Sequence, residues 1–413
     1  METKQYTYRF RIYPNKKQED FFQKSMGCNR FIYNFFLERA INLYDNHNIK
    51  FNFYEFRKII PLLKKGFPFL KEVTHQSLQA SLGDLKIAYE RFFKKKSKFP
   101  KFKKKSDLNS IKIRCGFKYI GDRLYIPKLD DSIKVKVNRS RKNSRVLITE
   151  KVKSISISKV ASGKWYVNML VEKEFTPLEK TNRVSGIDLG IKSFASITSG
   201  TSADNYTSIK IDNPKYLLKS EDQLKKLNRQ FAKKTKGSKN KLKFRKRLAR
   251  EYEKVTNQRK DFLHKLSSRA VNDNQVIALE DLNIKGMVKN RHLSKSISDA
   301  SWSMFGNMLA YKADWYGREV VKVDRFYPSS KICSVCGYVK RDLDLSDRNW
   351  TCPDCRTTHD RDENASTNLF LEGLKIGSVR PELTPVEYAL AENQSIGSSY
   401  HTKKQEAYEF IER

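Results

Sequence analysis

The chain opens on a period of two: Tyr6, Tyr8, Phe10 and Ile12 share one face and Arg9 and Arg11 the other, a strand that ends at Pro14. From residue 16 to about 95 the apolar spacing turns helical, as in Phe21, Phe22 and Met26 and then Phe31, Phe35 and Ala40, with Pro61 and Pro68 as expected breaks. Period two returns over 111–173, in Ile111, Ile113 and Cys115, then Ile133, Val135 and Val137, then Ile155 and Ile157, then Trp165, Val167 and Met169. These strands predict a small barrel, which the first strand joins if the helical segment is an insertion. From Val184, SGIDLGIKSFASI reads as a strand, a turn and a second strand, with Gly186 and Gly190 flanking Asp188. Leu224, Leu227 and Phe231, a turn at Gly237 and Ser238, and then Leu248, Tyr252, Val255, Phe262 and Leu266 predict a helical hairpin over 219–270. VIALEDLN predicts a buried strand ending in acids, 301–316 a helix, and 319–323 another strand. The fold class is multidomain α/β.

Length agrees, since 413 residues correspond to roughly three domains. Charge adds more: 83 Lys and Arg stand against 46 Asp and Glu, a net +37. With 38% hydrophobic and 12% aromatic residues the chain is no disordered polycation. The excess charge calls for a polyanion, nucleic acid or an anionic membrane surface, and aromatics among the lysines favour nucleic acid. No apolar run approaches the roughly 18 residues of a membrane span, and residues 1–13 lack a secretory apolar region, so a cytosolic protein without a membrane partner is expected. Residues 91–105, RFFKKKSKFPKFKKK, hold nine basic and no acidic residues, with Phe92, Phe93, Phe99 and Phe102 interleaved. Arg91, Lys94, Lys95, Lys96, Lys98, Lys101, Lys103, Lys104 and Lys105 are candidate phosphate contacts and the rings candidate stacking partners, beside the plainer reading of a solvated face. A second basic segment, KKTKGSKNKLKFRKR, adds Lys241, Lys243 and Arg245. Residues 371–413, with five basic and seven acidic residues, read as a flexible tail.

Six cysteines are a poor disulfide framework for this length. Cys333 and Cys336, then Cys352 and Cys355, form two CxxC pairs fifteen residues apart, the spacing of a two-knuckle zinc ribbon. A redox dithiol is the other reading of a CxxC, but two pairs at this spacing favour one structural zinc with no open coordination position. Cys28 and Cys115 are expected to be buried thiols. Three acids stand at ends of predicted elements: Asp188, Glu280, and Asp362 in HDRDENAS, with Asp360 competing for the third place. Such carboxylates hold two Mg²⁺ ions for phosphodiester hydrolysis in an RNase H-like nuclease. An Asp between glycines also serves as a turn-former, and Glu280 with Asp281 as a surface pair, so spacing leaves the shared site open.

The succession GIDLG, ALEDLN, FYPSSKICSVCG, LSDRNWTCPDC and HDRDENASTNL resembles TnpB, the family of RNA-guided DNA endonucleases encoded by bacterial and archaeal insertion sequences and related to type V CRISPR effectors. The resemblance runs nearly end to end. It implies a wedge β-barrel at 1–14 and 107–180, an inserted helical recognition domain at 15–106, a RuvC nuclease domain at 181–330 and 358–371, a zinc ribbon at 331–357 and a tail at 372–413. By position Asp188, Glu280 and Asp362 match the RuvC carboxylates, and Cys333, Cys336, Cys352 and Cys355 the zinc ligands. Arg348, in the LSxR pattern, is expected near the scissile phosphate. Ser366 and Leu369 depart from the usual NAAxNI. The implied partners are a guide RNA and target double-stranded DNA, bound by a monomer or weak dimer in the cytoplasm, associated with the nucleoid. An RNA-free transposase or accessory DNA-binding protein, a nuclease-inactive guided regulator, and a zinc-ribbon DNA-binding factor are the other readings.

Overall fold

A computed structural model describes residues 3–105, 110–136, 148, 150–344 and 346–378. The 106–107 boundary, Val137 and the tail from 379 onward lie outside the described residues. Two compact units emerge, one of residues 1–175 with 222–254 and one of 176–221 with 255–413.

The first unit begins with β1 (Thr3–Tyr13), α1 (Lys16–His47), α2 (Phe53–Gly66) and α3 (His75–Phe93). It continues through β2 (Ser110–Ile113), β3 (Lys118–Ile120), β4 (Arg123–Tyr125), β5 (Ile133–Lys136), β6 (Val152–Lys159) and β7 (Trp165–Glu174). The strands form one antiparallel sheet in the order β2-β6-β7-β1-β5-β4-β3, so the chain's first strand sits centrally and β2 and β3 are the recorded edges. β1 pairs with β7 from Thr3 opposite Glu174 to Ile12 opposite Trp165, which turns Phe10 and Ile12 into a core with Phe22 and Trp165. Asn15 starts α1 with a capping box: its side chain accepts from the Gln18 amide while Gln18 Oε1 accepts from the Asn15 amide. The helices bury a separate core around Ile32, Phe36, Ile60, Leu78 and Leu82.

Two expectations fail here. Pro61 does not break the helix but lies inside α2 on its exposed side, where Phe56, Ile60 and Leu63 hold the buried face in place. Cys115 is exposed, because β2 ends at Ile113 and Gly116, at φ +81°, turns the chain before the alternation reaches it; Cys28 is buried.

The remaining elements are β8 (Val184–Leu189), β9 (Ser193–Ser202), β10 (Asn205–Asp212), α4 (Tyr216–Lys219), α5 (Glu221–Ala232), α6 (Lys239–Asp273), β11 (Val276–Glu280), α7 (Ile284–Met287), α8 (Ser294–Ala300), α9 (Trp302–Tyr316), β12 (Glu319–Val323), β13 (Asn349–Thr351), β14 (Thr358–Asp360) and α10 (Arg361–Ser378). In the second unit a mixed sheet runs β10-β9-β8-β11-β12, antiparallel up to β8 and parallel beyond it. One face packs Ile187, Ile277 and Leu279 against Leu263, Phe305 and Leu309 from α6 and α9. The other face carries α10. A Cβ on Gly186 would overlap the Phe370 amide and the Ser366 carbonyl, so helix and strand meet at backbone distance. Residues 372–378, expected in the tail, belong to α10, where Leu374 packs near Val184 and Val276 and Gly373 fits against Val184 and Ala278.

Candidate active site and metal centre

Parallel pairing gathers the acids. Val276 lies beside Val184 and Leu279 beside Ile187, so one residue further Glu280 and Asp188 stand at the same end of neighbouring strands. Alternation puts Asp188 on the face of Gly186, and Glu280 on that of Ala278, and both of these neighbours look onto α10. Asp362 enters in the first turn of that helix. Burial pushes the Asp188 carboxyl up to about 8, and the charges of Glu280 and Asp362 push the same way, against the Arg361 guanidinium and the Leu189 amide. Three carboxylates near enough for Glu280 and Asp362 to raise Asp188, all with hard oxygen donors, fit divalent cations. Among the described residues, Cys333, Cys336, Cys352 and Cys355 form the one group of three or more metal-ligating side chains whose ligand atoms all lie within 4.8 Å of one another.

The acids' neighbours are already engaged. Asp360 accepts from the Asp362 and Glu363 amides, both at 3.1 Å, and pairs with Lys210 Nζ at 2.6 Å, which holds it below the usual carboxylate range despite its burial. Asp281 is clamped by Lys322 and Arg325, at 3.1 and 2.6 Å, so Glu280 and Asp281 are not an equivalent surface pair. Arg348 Nη1 lies 3.6 Å from Asp362 Oδ1, and the Arg348 carbonyl accepts from the Arg361 amide.

The cysteine cluster fits zinc. Sγ atoms of Cys333 and Cys355, and of Cys336 and Cys352, are 3.6 Å apart, close to the roughly 3.8 Å edge of a tetrahedron with 2.3 Å Zn–S bonds. The two knuckles repeat one geometry: Gly337 donates its amide to the Cys333 carbonyl at φ +81°, and Arg356 donates to Cys352 at φ +61°. Short β13 and β14 form the returning hairpin.

The structure adds residues that sequence reasoning missed. Ser329 Oγ donates to Glu280 Oε1. Asn368 Nδ2 donates to the Ser329 and Ile332 carbonyls, both at 2.7 Å, while Asn364 donates to Ile332 and accepts from the Ser334 amide. Two asparagines four apart on α10 thus bind the loop that holds Glu280 and leads into the first knuckle. Their only sequence signal was membership of NASTNL and FYPSSK. His359 Nε2 lies 3.1 Å from Cys333 Sγ, with its ring against Trp350. Ser366 uses its hydroxyl in a buried network with Thr198, at 2.8 Å, and Ser196, at 3.2 Å.

Among the basic candidates, Arg91, Lys94, Lys95, Lys96, Lys98, Lys101, Lys104, Lys105, Lys243 and Arg245 are exposed. Two face protein instead. Lys103 exchanges backbone hydrogen bonds with the Asn34 side chain and sets its ammonium over the Tyr33 ring; Lys241 Nζ donates to the Lys234 carbonyl. No described helix is long and apolar enough to cross a membrane.

Family models match three segments: residues 166–291 a probable transposase, 302–369 the TNB domain of Cas12f1-like proteins, and 1–49 a helix-turn-helix domain. In this chain the last segment folds as β1 and one long helix, α1. A Streptomyces pristinaespiralis protein named "Putative RNA-guided DNA endonuclease" is 35% identical, covering 92% of each chain. InsQ of Escherichia coli K12, which carries the same name, is 28% identical over 89% of this chain and 92% of its own length. The multidomain α/β fold is similar to that of the mini-RNA-guided endonuclease CRISPR-Cas_phi3, with a TM-score of 0.51 at 12% identity, covering 93% of this chain and 94% of that one.

Proposed function

The chain belongs to the TnpB family, and we propose from that premise that it is a transposon-encoded, RNA-guided DNA endonuclease hydrolysing phosphodiester bonds at Asp188, Glu280 and Asp362. The observation that carries this reading is the convergence of these acids: the ends of two parallel strands and the first turn of α10 aim carboxylates into one place, at a cost that burial and mutual repulsion make visible at Asp188. Three antiparallel strands followed by two parallel ones support an RNase H-like, RuvC-type nuclease domain. The seven-stranded sheet serves as the wedge and α1–α3 as the recognition domain.

When bound, a pair of Mg²⁺ ions supplies the activated water and neutralises charge on the leaving oxygen. The chain's own residues do the rest. Ser329 holds one oxygen of Glu280 and leaves the other for the site. Arg348, 3.6 Å from Asp362, would meet a phosphate bound there. Cys333, Cys336, Cys352 and Cys355 would hold a zinc with no open coordination position, which would tie the ribbon together and take no part in hydrolysis. A guide RNA and the target DNA account for the net +37: a cationic surface recognises backbone while base pairing supplies the sequence. The place of action is the cytoplasm of the host cell.

The test is to express the gene with its native downstream flank, sequence the RNA that survives a high-salt purification, and challenge the complex with a plasmid matching the RNA's variable end. One dominant RNA and a cut that Asp188→Ala abolishes is the expected result. Heterogeneous RNA fragments would leave an RNA-free transposase, and activity unchanged by Asp188→Ala would remove the three acids from the mechanism.

A further inference from the structure

The first unit carries an aromatic cavity of about 420 Å³ beside the basic run at 91–105. Its floor is Tyr89, 6% exposed, stacked between two rings: Phe51 at 4.8 Å and 21°, and Phe93 at 6.0 Å and 19°. Phe99 closes one side, edge-on to Tyr89 and Phe92 at 5.7 and 5.3 Å, and Tyr44 lies at the mouth. Three near-parallel rings thus lead outward to Phe93, which is 68% exposed, with Phe99 at 43% and Tyr44 at 55%. Solvent gains nothing from such a stack, whereas a planar aromatic ligand extends it.

The rim says which ligand. Two residues past the end of α3, Lys95 lies in the left-handed region, φ +53°, a conformation usually left to glycine. The amides of Lys96 and Ser97 fold back onto the Arg91 carbonyl at 2.8 and 3.2 Å. Further along, the Asn34 side chain pins Lys103 through two hydrogen bonds. The segment is therefore tethered at both ends, and its exposed Lys94, Lys95, Lys96 and Lys98 lie along the chain between Phe93 and Phe99, two of the rings that line the cavity. An apolar, ring-lined pocket whose lining segment also carries a run of exposed cations matches a planar base on a phosphate chain. Asp45 and Lys50 line the same cavity and offer an acceptor and a donor to a base edge.

We propose that this cavity binds one unstacked nucleobase of a nucleic-acid strand, with Phe93 and Phe99 as its stacking surfaces and the lysines on the flanking phosphates. The inference stands apart from the carboxylate site, and its failure leaves the nuclease reading intact. The test places a reporter in the pocket of the full chain. Phe93→Trp, at an exposed position, is titrated with short oligouridylate, short oligothymidylate and a chain of equal length in which abasic sites replace the bases, and its emission is taken as the difference from the parent protein. The expected result is quenching by strands that carry bases and none by the abasic chain, with the midpoint shifted at least about fivefold when Phe99→Ala is added. Preference for the RNA or the DNA strand then tells a guide base from a target base. Quenching of equal size by the abasic chain would reduce the site to phosphate contact, and an unquenched tryptophan both here and in a parallel Phe99→Trp variant would show that the pocket takes no base.

Discussion

At the scale of single residues the active site is a place where folding and function oppose each other, and Asp188 shows the sign. Burial pushes its carboxyl up from the ordinary 3.8 to about 8, and the charges of Glu280 and Asp362 push the same way. A group raised in the folded state favours folding fully below its unfolded pKa, and that contribution is lost as pH climbs from about 4 to about 8. Asp188→Asn removes the dependence. In chelator at pH 8 the variant should melt higher than the parent and lose the parent's decline over that interval, while guided cleavage falls by more than the 10- to 100-fold that losing an outer hydrogen-bond partner costs. Thermal melts from pH 5 to 9 decide it, and a variant that melts lower throughout would contradict the burial argument. Ser329 makes a graded companion. Ser329→Ala frees one oxygen of Glu280 without removing the acid, so cleavage should drop about 10- to 100-fold, with partial recovery at raised Mg²⁺; full activity at low Mg²⁺ would show that Glu280 needs no such support.

At the scale of elements the site depends on how closely α10 lies on the sheet. Gly186→Ala would force a methyl into the backbone of Phe370 and Ser366, two residues from Asp188. The cost should reach or exceed the upper end of the roughly 1–3 kcal/mol typical of overpacking, read as a drop in Tm and a parallel loss of activity. The ribbon couples to the same helix, since β14 runs straight into α10 and Asn364 and Asn368 hold residues 329–334. Removing zinc, or Cys352→Ser, should therefore raise amide exchange in 329–334 as well as in the knuckles, and unchanged exchange in that loop would uncouple ribbon from site. This coupling explains what could be read beforehand. Strands with strict alternation, the strand and turn begun by GIDLG and the cysteine spacing were legible because each is a local pattern. Ser329, Asn364, Asn368 and His359 were not, because a polar residue declares its partner only when a distant segment arrives beside it. Pro61 misled because burial of Phe56, Ile60 and Leu63 outweighs one missing hydrogen bond, and β10 was missed because its exposed, polar strand carries little hydrophobic signal.

At the scale of the whole molecule the dominant quantity is charge, and it is unevenly written. The net +37 is concentrated in runs such as 91–105, where nine cations meet no acid. Cations gathered this way bind a polyanion chiefly by releasing its counterions, so affinity must fall linearly with salt on logarithmic axes, by about 0.7 in slope for each phosphate neutralised on a single strand. Replacing Lys94, Lys95, Lys96 and Lys98 with alanine should then lower the slope for a single-stranded RNA by about 3 if all four meet phosphates. These side chains are exposed and hold no part of either core, so the melting temperature should barely move. Lys103 and Lys241 supply the internal control. Their ammonium groups already face the Tyr33 ring and the Lys234 carbonyl, so Lys103→Met and Lys241→Met should leave the slope nearly unchanged. Binding of a labelled RNA between about 50 and 500 mM salt measures all three. A slope lowered equally by every lysine removed would mean that the net charge acts as a diffuse cloud; a slope lowered by the four exposed lysines alone means that the fold has chosen which cations the nucleic acid meets.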